Sequence, residues 1–342
     1  LTELEFYDHQ VDAIRRLRTQ RSFILADDMG LGKTLQCLAL LACDVMQGLG
    51  QSMLVVSPAG LVKDNWEEEI NKFSTFYVLK LDTMTPKKRK KALAEFQLVT
   101  GPKILIVNYE QVASDFEDIN NCVWHVICFD EAHYLKNPSA ARTKACLQLY
   151  SVRSFLLTGT PMLNRVNELW SLLHRVDPDG FPRYHSFVNR YAVFGGFKDK
   201  EIVGIKNEAE LRSKLDVLML RRLKKDVLKD LPDKTRSVIP LPMEHPEEYT
   251  HALRDFMGWL AKHKPERLYR ASRAERLVQV GYLKRLAGKL KLKHVFGWVD
   301  DFLADTDSKL VLFAVHTEVM DALEKRYKKL CLRVDGSTEN RE

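Results

Sequence analysis

Neither a long hydrophobic run nor a paired cysteine motif occurs anywhere in the 342 residues. No apolar stretch approaches the ~18–20 residues that a membrane-spanning helix needs, so no membrane association through helices is expected. Leu1 to Glu5 is acidic and lacks the basic and apolar regions of a signal peptide. The six cysteines, at 37, 43, 122, 128, 146 and 331, include no C-x-x-C pair. Most lie inside apolar stretches, which points to reduced core thiols in an intracellular, reducing compartment and away from a structural zinc site. No internal repeat at a fixed period and no low-complexity tract is present. What remains is ordinary for a globular chain, with 45% apolar and 29% charged residues. The length suggests two or three domains.

Charge is unevenly placed. Between Lys262 and Lys293 stand eleven Lys and Arg against Glu266 and Glu275, an excess larger than the +7 of the whole chain. A basic segment on a nearly neutral body suggests a polyanionic partner, although a solvated helix face would look the same. The shorter cluster from Lys87 to Lys91 follows Pro86 and fits the start of an exposed helix.

The most informative stretch is Asp27-Asp28-Met29-Gly30-Leu31-Gly32-Lys33-Thr34. The apolar run Phe23 to Ala26 precedes it, and Leu35 to Leu41 reads as a helix after it. Strand, glycine-bearing turn and helix are the context of a phosphate-binding loop, whose N–H groups and helix N-terminus face an anion. Lys33 would reach the outer phosphates and the Thr34 hydroxyl would hold Mg²⁺. The usual loop has glycine five residues before Gly32, where this chain has Asp27. Taken alone, the octet also fits an ordinary strand-to-helix turn.

Further strands are expected at 53–57, 76–81, 103–107, 123–129 and 154–158, with helices at 6–19 and 61–73. These strands are continuously apolar, as parallel strands covered on both faces are. Alternating with helices, they predict an α/β fold built on a doubly wound parallel sheet. Ligands bind such sheets at the carboxyl ends of the strands, where the loop after Ala26, Asp130 and Gly159 all fall. Beyond Pro161 the chain reads as helical over 164–176 and 207–229, with an irregular aromatic stretch between Phe181 and Gly204. A short strand at 237–241 and a long basic helical region over about 246–303 follow. Strands at 309–315 and 330–334 then open a second α/β domain.

Asp130-Glu131-Ala132-His133 directly follows a buried-type strand. A carboxylate there can hold Mg²⁺ and its neighbour can deprotonate an attacking water, which with positioning is most of what phosphoryl transfer asks of side chains. Asp130 is assigned to the metal and Glu131 to the base. His125 lies inside the strand and fits a core histidine, while His133, past its end, is placed to couple the nucleotide to a neighbouring loop. Thr158-Gly159-Thr160-Pro161 closes the next strand, with two hydroxyls able to reach His133 or the carboxylates.

Together these residues resemble the Swi/Snf-type family of DNA-dependent ATPases, within the superfamily-two helicases. Tyr7 to Gln10 is similar to that family's adenine-reading segment, with Gln10 on the base. Asp28, Met29, Gly30, Leu31, Gly32, Lys33 and Thr34 match its phosphate loop, acidic residues included. Leu54 to Trp66 and Ile106 to Tyr109 resemble its DNA-touching strand ends. Met219 to Pro232, reading Met-Leu-Arg-Arg-Leu-Lys-Lys-Asp-Val-Leu-Lys-Asp-Leu-Pro, resembles the segment bridging its two lobes. Asp335 to Thr338 is similar to a second-lobe DNA motif. The resemblance implies two RecA-like lobes with helical insertions: a first lobe over 1–163 holding the ATP site, an inter-lobe brace over 164–235, a basic insertion over 236–303, and a second lobe beginning at 304 and truncated in this chain. It implies ATP and Mg²⁺ as cofactors and double-stranded or branched DNA as partner. Pro58, Lys63, Asn108, Tyr109, Arg222, Lys224, His316, Gly336, Ser337 and Thr338 become the expected DNA contacts.

The wording around Leu220 to Lys224 looks most like the annealing-helicase branch. The family's last second-lobe motifs, with the arginines that complete the ATP site, are not reached before Glu342, so this chain is expected to bind ATP and hydrolyse it poorly. Location would be nuclear in a eukaryote and cytoplasmic in a bacterium or phage. An RNA helicase shares the fold but usually carries Ser-Ala-Thr where this chain has Thr-Gly-Thr-Pro. A nucleotide-gated DNA-binding module without turnover is a third reading, and a phosphate-loop kinase a poorer fourth.

Overall fold

The computed structural model describes residues 5–59, 61–82, 84–196, 201–228, 234–256, 258, 275–336 and 338, with 61–65 and 275–278 described by their backbone alone. The chain divides into two compact units, Leu1–Pro232 and Asp233–Glu342.

The first unit is built on a seven-stranded parallel sheet. Its strands are β1 (Ser22–Leu25), β2 (Ser52–Ser57), β3 (Tyr77–Lys80), β4 (Lys103–Asn108), β5 (Val126–Asp130), β6 (Arg153–Leu157) and a two-residue strand, Met219–Leu220. The spatial order is β3-β4-β2-β5-β6-β1 followed by Met219–Leu220 at the edge. A parallel sheet needs crossover helices on both faces, and these bury both sides of every central strand. Ile24, Leu54, Val56, Leu105, Val107, Ile127, Phe129 and Leu156 pack into one core. Phe23, Leu25, Met53, Val55, Ile104, Ile106, Cys128, Phe155 and Leu157 pack into the other. The period-2 alternation of strand side chains makes this division, so continuously apolar runs were the right signature. Phe23 and Phe155 stack at 4.6 Å between neighbouring strands.

Three segments differ from the sequence expectation. The expected helix over 207–229 breaks at Met219, where Ile24 and Leu25 of β1 take Met219 and Leu220 as parallel neighbours. Helical propensity gives way there because an open sheet edge offers hydrogen bonds to a passing extended segment. The stretch 181–204 is more regular than expected: a helix, Tyr184–Tyr191, leads into an antiparallel hairpin of β7 (Ala192–Gly195) and β8 (Glu201–Ile205). In the second unit, 237–241, 309–315 and 331–334 form no strand, and residues 328–330 are a 3₁₀ turn. Their apolar side chains are exposed, Phe313 at 96% and Leu332 at 97%. A buried-type strand needs lateral partners, and the described residues of this unit form no strand to pair with. The unit instead packs Ala252, Phe256, Leu283, Leu286 and Leu290 between its helices Pro246–Arg254 and Glu275–Leu290. Much of the basic stretch, 259–274, lies outside the described residues.

One buried charge cluster ties the ends of the first unit's elements together. Asp44, on the helix Lys33–Met46 at the sheet's flank, accepts from Arg153 Nη1 on both oxygens (2.7 and 2.6 Å) and lies 2.9 Å from His125 Nε2. Arg153 Nη2 also donates to the carbonyls of Leu17, Arg18 and Gln20. His125 is therefore a satisfied core histidine.

Asp44→Ala leaves the Arg153 guanidinium buried without its anion and is expected to cost ~3–5 kcal/mol in urea unfolding, with Asp44→Asn costing less. Burial lifts the Cys146 thiol to about 12 and Cys128 well above its usual value. Alkylation at pH 8 followed by mass spectrometry should therefore mark the half-buried Cys43 and Cys331 well before Cys37, Cys128 and Cys146.

Candidate nucleotide site

Three neighbouring strands end side by side: β5 in Asp130, β6 in Leu157 and β1 in Leu25. Strands about 4.8 Å apart bring segments 27–34, 130–133 and 158–160 together although up to 133 positions separate them.

The loop after β1 turns through left-handed backbone at Gly30 (φ 79°) and Gly32 (φ 75°), and Gly32 caps α2 (Lys33–Met46). A Cβ at either position would also press on the end of a neighbouring side chain. One on Gly32 would lie 2.3 Å from Gln10 Nε2, and one on Gly30 3.1 Å from Lys224 Nζ. Three side-chain nitrogens converge on the Leu31 carbonyl: Gln36 Nε2 at 2.9 Å, His9 Nε2 at 3.2 Å and Gln10 Nε2 at 3.4 Å. Gln10 and His9 come from helix α1 (Asp8–Leu17), so the expected base-reading segment lies against the loop. Lys33 Nζ donates to the carbonyls of Asp27 (2.9 Å) and Asp28 (3.3 Å). Burial pulls its pKa down, opposed by the nearby charges of Glu131, Asp130, Asp27 and Asp28. Thr34, half-buried, sits in the first turn of α2.

Asp130 Oδ2 accepts from Trp66 Nε1 at 2.8 Å, and its Oδ1 from the Glu131 N–H at 2.9 Å. Burial raises its pKa, and these two donors oppose the rise. Glu131 takes left-handed backbone at φ 47°, which is costly outside glycine and redirects the chain into the turn Ala132–Leu135. Its Oε2 lies 3.1 Å from His133 Nδ1, an ion-pair approach rather than an aligned hydrogen bond. The imidazole holds the Glu131 carboxyl below its usual range. His133 Nδ1 is also 3.4 Å from Thr158 Oγ1, which accepts the Thr160 N–H at 3.1 Å. A Cβ on Gly159 would meet Met29 Cγ at 3.1 Å, so the turn after β6 packs directly against the phosphate loop.

The feature that sequence reasoning missed is the partner of Asp27. This carboxylate is fully buried two residues past β1. Arg222 donates to it through its backbone N–H (3.0 Å), Nε (3.1 Å) and Nη2, and reaches the Gln36 side chain (3.2 Å) and the His9 carbonyl. An acid standing where such loops carry glycine was the available signal, since a buried charge demands a counterion. Arg222, expected on DNA, is thus committed to the phosphate loop. Tyr109, also expected on DNA, is fully buried because its hydroxyl donates 2.7 Å to the Asp130 carbonyl and its ring stacks on Tyr134. Asn108 caps the following helix by accepting the Gln111 N–H at 2.7 Å. Pro58 is buried just past β2, and the Lys63 side chain lies outside the described residues. In the second unit, His316 precedes helix Thr317–Tyr327, Gly336 is exposed, and Thr338 Oγ1 accepts the Asp335 N–H at 2.9 Å; Ser337 lies outside the described residues.

A glycine-bearing loop at a helix N-terminus, with Asp130 and Glu131 at the next strand ends but one, defines the class of phosphate-loop nucleotide-binding proteins. The residues also fit Mg²⁺, since a hydroxyl on the first turn and a strand-end carboxylate are the oxygen donors that ion takes. The profile of the SNF2-related domain matches residues 9–284, and the chain belongs to that family. It is 32% identical over 233 residues to chromodomain-helicase-DNA-binding protein 7 of Homo sapiens, covering 65% of this chain and 8% of that protein. It is 33% identical over 245 residues to chromodomain-helicase-DNA-binding protein 1-like of Mus musculus (70% and 26%). With helicase SWR1 of Mycosarcoma maydis it shares 32% identity over 296 residues (82% and 15%). The chain thus spans about a quarter or less of the length of these relatives. Among solved structures it matches the Sulfolobus solfataricus SWI2/SNF2 ATPase core in complex with dsDNA, with TM-score 0.57 and 21% identity, covering 96% of this chain and 70% of that one. That likeness shows the fold.

Arg222→Ala strands the Asp27 carboxylate in the core and is expected to cost ~3–5 kcal/mol in urea unfolding. Replacing both residues by apolar ones should cost less than the sum of the single changes, by ~0.5–3 kcal/mol in a double-mutant cycle.

Proposed function

We propose that this chain carries the ATP site of a DNA-dependent, remodeller-type motor, which couples ATP hydrolysis to movement on duplex or branched DNA. The observation that carries the reading is the placement of Lys33 in the first turn of α2 after β1, with Asp130 and Glu131 at the end of β5 and one strand between them in the sheet. The loop N–H groups and Lys33 hold the outer phosphates of ATP. Glu131, kept ionised by His133, takes the proton of the attacking water. Thr34 and Asp130 would hold Mg²⁺, which would neutralise phosphate charge. His133, Thr158, Gly159 and Thr160 link the carboxylates to the phosphate loop and so relay the nucleotide state to neighbouring loops. Pro58, Lys63 and Asn108, at the carboxyl ends of β2 and β4 or just beyond, remain the proposed DNA contacts of the first unit, with His316, Gly336, Ser337 and Thr338 those of the second. Contact with backbone phosphates implies little base preference and steep salt dependence. The Leu220-Arg221-Arg222-Leu223-Lys224 wording supports the annealing-helicase branch, acting in the nucleus if the source is eukaryotic.

ATP binding and hydrolysis by the 342-residue chain, measured without nucleic acid and with duplex DNA, forked DNA or RNA, test this. Lys33→Ala should abolish ATP binding. Glu131→Gln should keep binding and lower any DNA-stimulated turnover by ~10²–10⁴. Stimulation by RNA and not by DNA would reverse the assignment of partner.

A further inference from the structure

Segment 219–224 is held to the phosphate loop by four backbone-mediated hydrogen bonds in succession. The Ala26 N–H donates to the Leu220 carbonyl (2.7 Å) and the Asp28 N–H to the Arg222 carbonyl (3.0 Å). The Arg222 N–H donates to Asp27 Oδ1 and the Lys224 N–H to Asp28 Oδ2, each at 3.0 Å. These bonds, with the Arg222 guanidinium on Asp27, place the Lys224 backbone beside the loop whatever its side chain does. The side chain then runs over Gly30, with Nζ and Cε 3.1 and 3.3 Å from where a Cβ would stand. Gly30 and Gly32 are the two left-handed positions of the loop, the backbone form in which successive N–H groups gather around an anion. Among the described residues no carboxylate lies within ion-pair distance of Lys224 Nζ. Lys224 is exposed, and an ammonium lying over a phosphate loop without a protein counterion is an anion site half made.

We propose that Lys224 is a second phosphate-binding cation of the nucleotide site, supplied by the segment that leaves the first unit rather than by the loop itself. The inference rests on the nucleotide reading of the site. Lys33 approaches from the helix side and Lys224 from the edge of the sheet beyond β1, so the two ammonium groups share the charge of a polyphosphate. Nucleotide binding would thereby also clamp the segment leading to the second unit.

Calorimetric titration of the full chain with Mg·ATP tests this in Lys224→Ala, Lys224→Arg and Lys33→Ala, alongside duplex DNA affinity without nucleotide and the melting temperature. The Lys224 N–H and its bond to Asp28 survive in every Lys224 variant. Lys224→Ala should weaken Mg·ATP roughly tenfold or more, as loss of a charge-assisted contact does. Lys224→Arg should restore most of that loss, and melting temperature and DNA affinity should stay at the wild-type values. Mg·ATP affinity in Lys224→Ala within twofold of wild type, or a loss that Arg does not rescue, overturns the proposal, as does weakened DNA binding with intact ATP binding. Failure of the wild-type chain to bind Mg·ATP would instead defeat the nucleotide reading itself.

Discussion

A single carboxylate organises the first unit. Asp27, two residues past β1, has no exposure to water, and an unpaired charge in that position would cost several kcal/mol. Its counterion, Arg222, lies 195 positions further on. To bring it there the chain must end the helix Glu208–Leu218, add Met219–Leu220 to the sheet beside β1, and pass over the loop. The phosphate loop is therefore held from both sides, by α1 through His9 and Gln10 and by the outgoing segment through Arg222 and Lys224. The acid that seemed a departure from the usual glycine is what recruits that second support.

The rest of the site follows from strand order. Because β6 lies between β1 and β5, the turn after Leu157 stands between the phosphate loop and the carboxylates. Gly159 lets it approach Met29, and Thr158 reaches His133, so the turn touches both sides. Local environment then separates the two adjacent carboxylates. Burial raises the pKa of half-buried Asp130, whereas His133 lowers that of Glu131, which sits on left-handed backbone. One strand end thus offers two carboxylates of different character.

The parallel sheet, its strand ends within three residues, the glycine-bearing loop after β1 and the Asp130-Glu131-His133 element were legible because each is written in contiguous residues. Apolar runs, glycines before a helix and a polar tail after a strand state their own structure locally. Legibility was lower where an apolar run depends on distant partners. The runs at 309–315 and 330–334 have strand composition, yet a strand exists only beside another strand. The same dependence works in reverse at Met219, where a helical pattern became sheet because an edge was waiting.

What the amino-acid sequence determined by itself is the class of fold and the order of the polar groups placed on it: glycine-bearing loop, lysine, hydroxyl, acid pair and histidine. Tertiary structure alone decided which of the other polar residues serve that chemistry. It took Arg222 and Tyr109 from the expected DNA surface and set them against Asp27 and Asp130, and it laid Lys224 over Gly30. Composition and spacing are properties of a segment, whereas the partner of a buried charge is chosen by whichever distant residue the packing brings within a few ångströms.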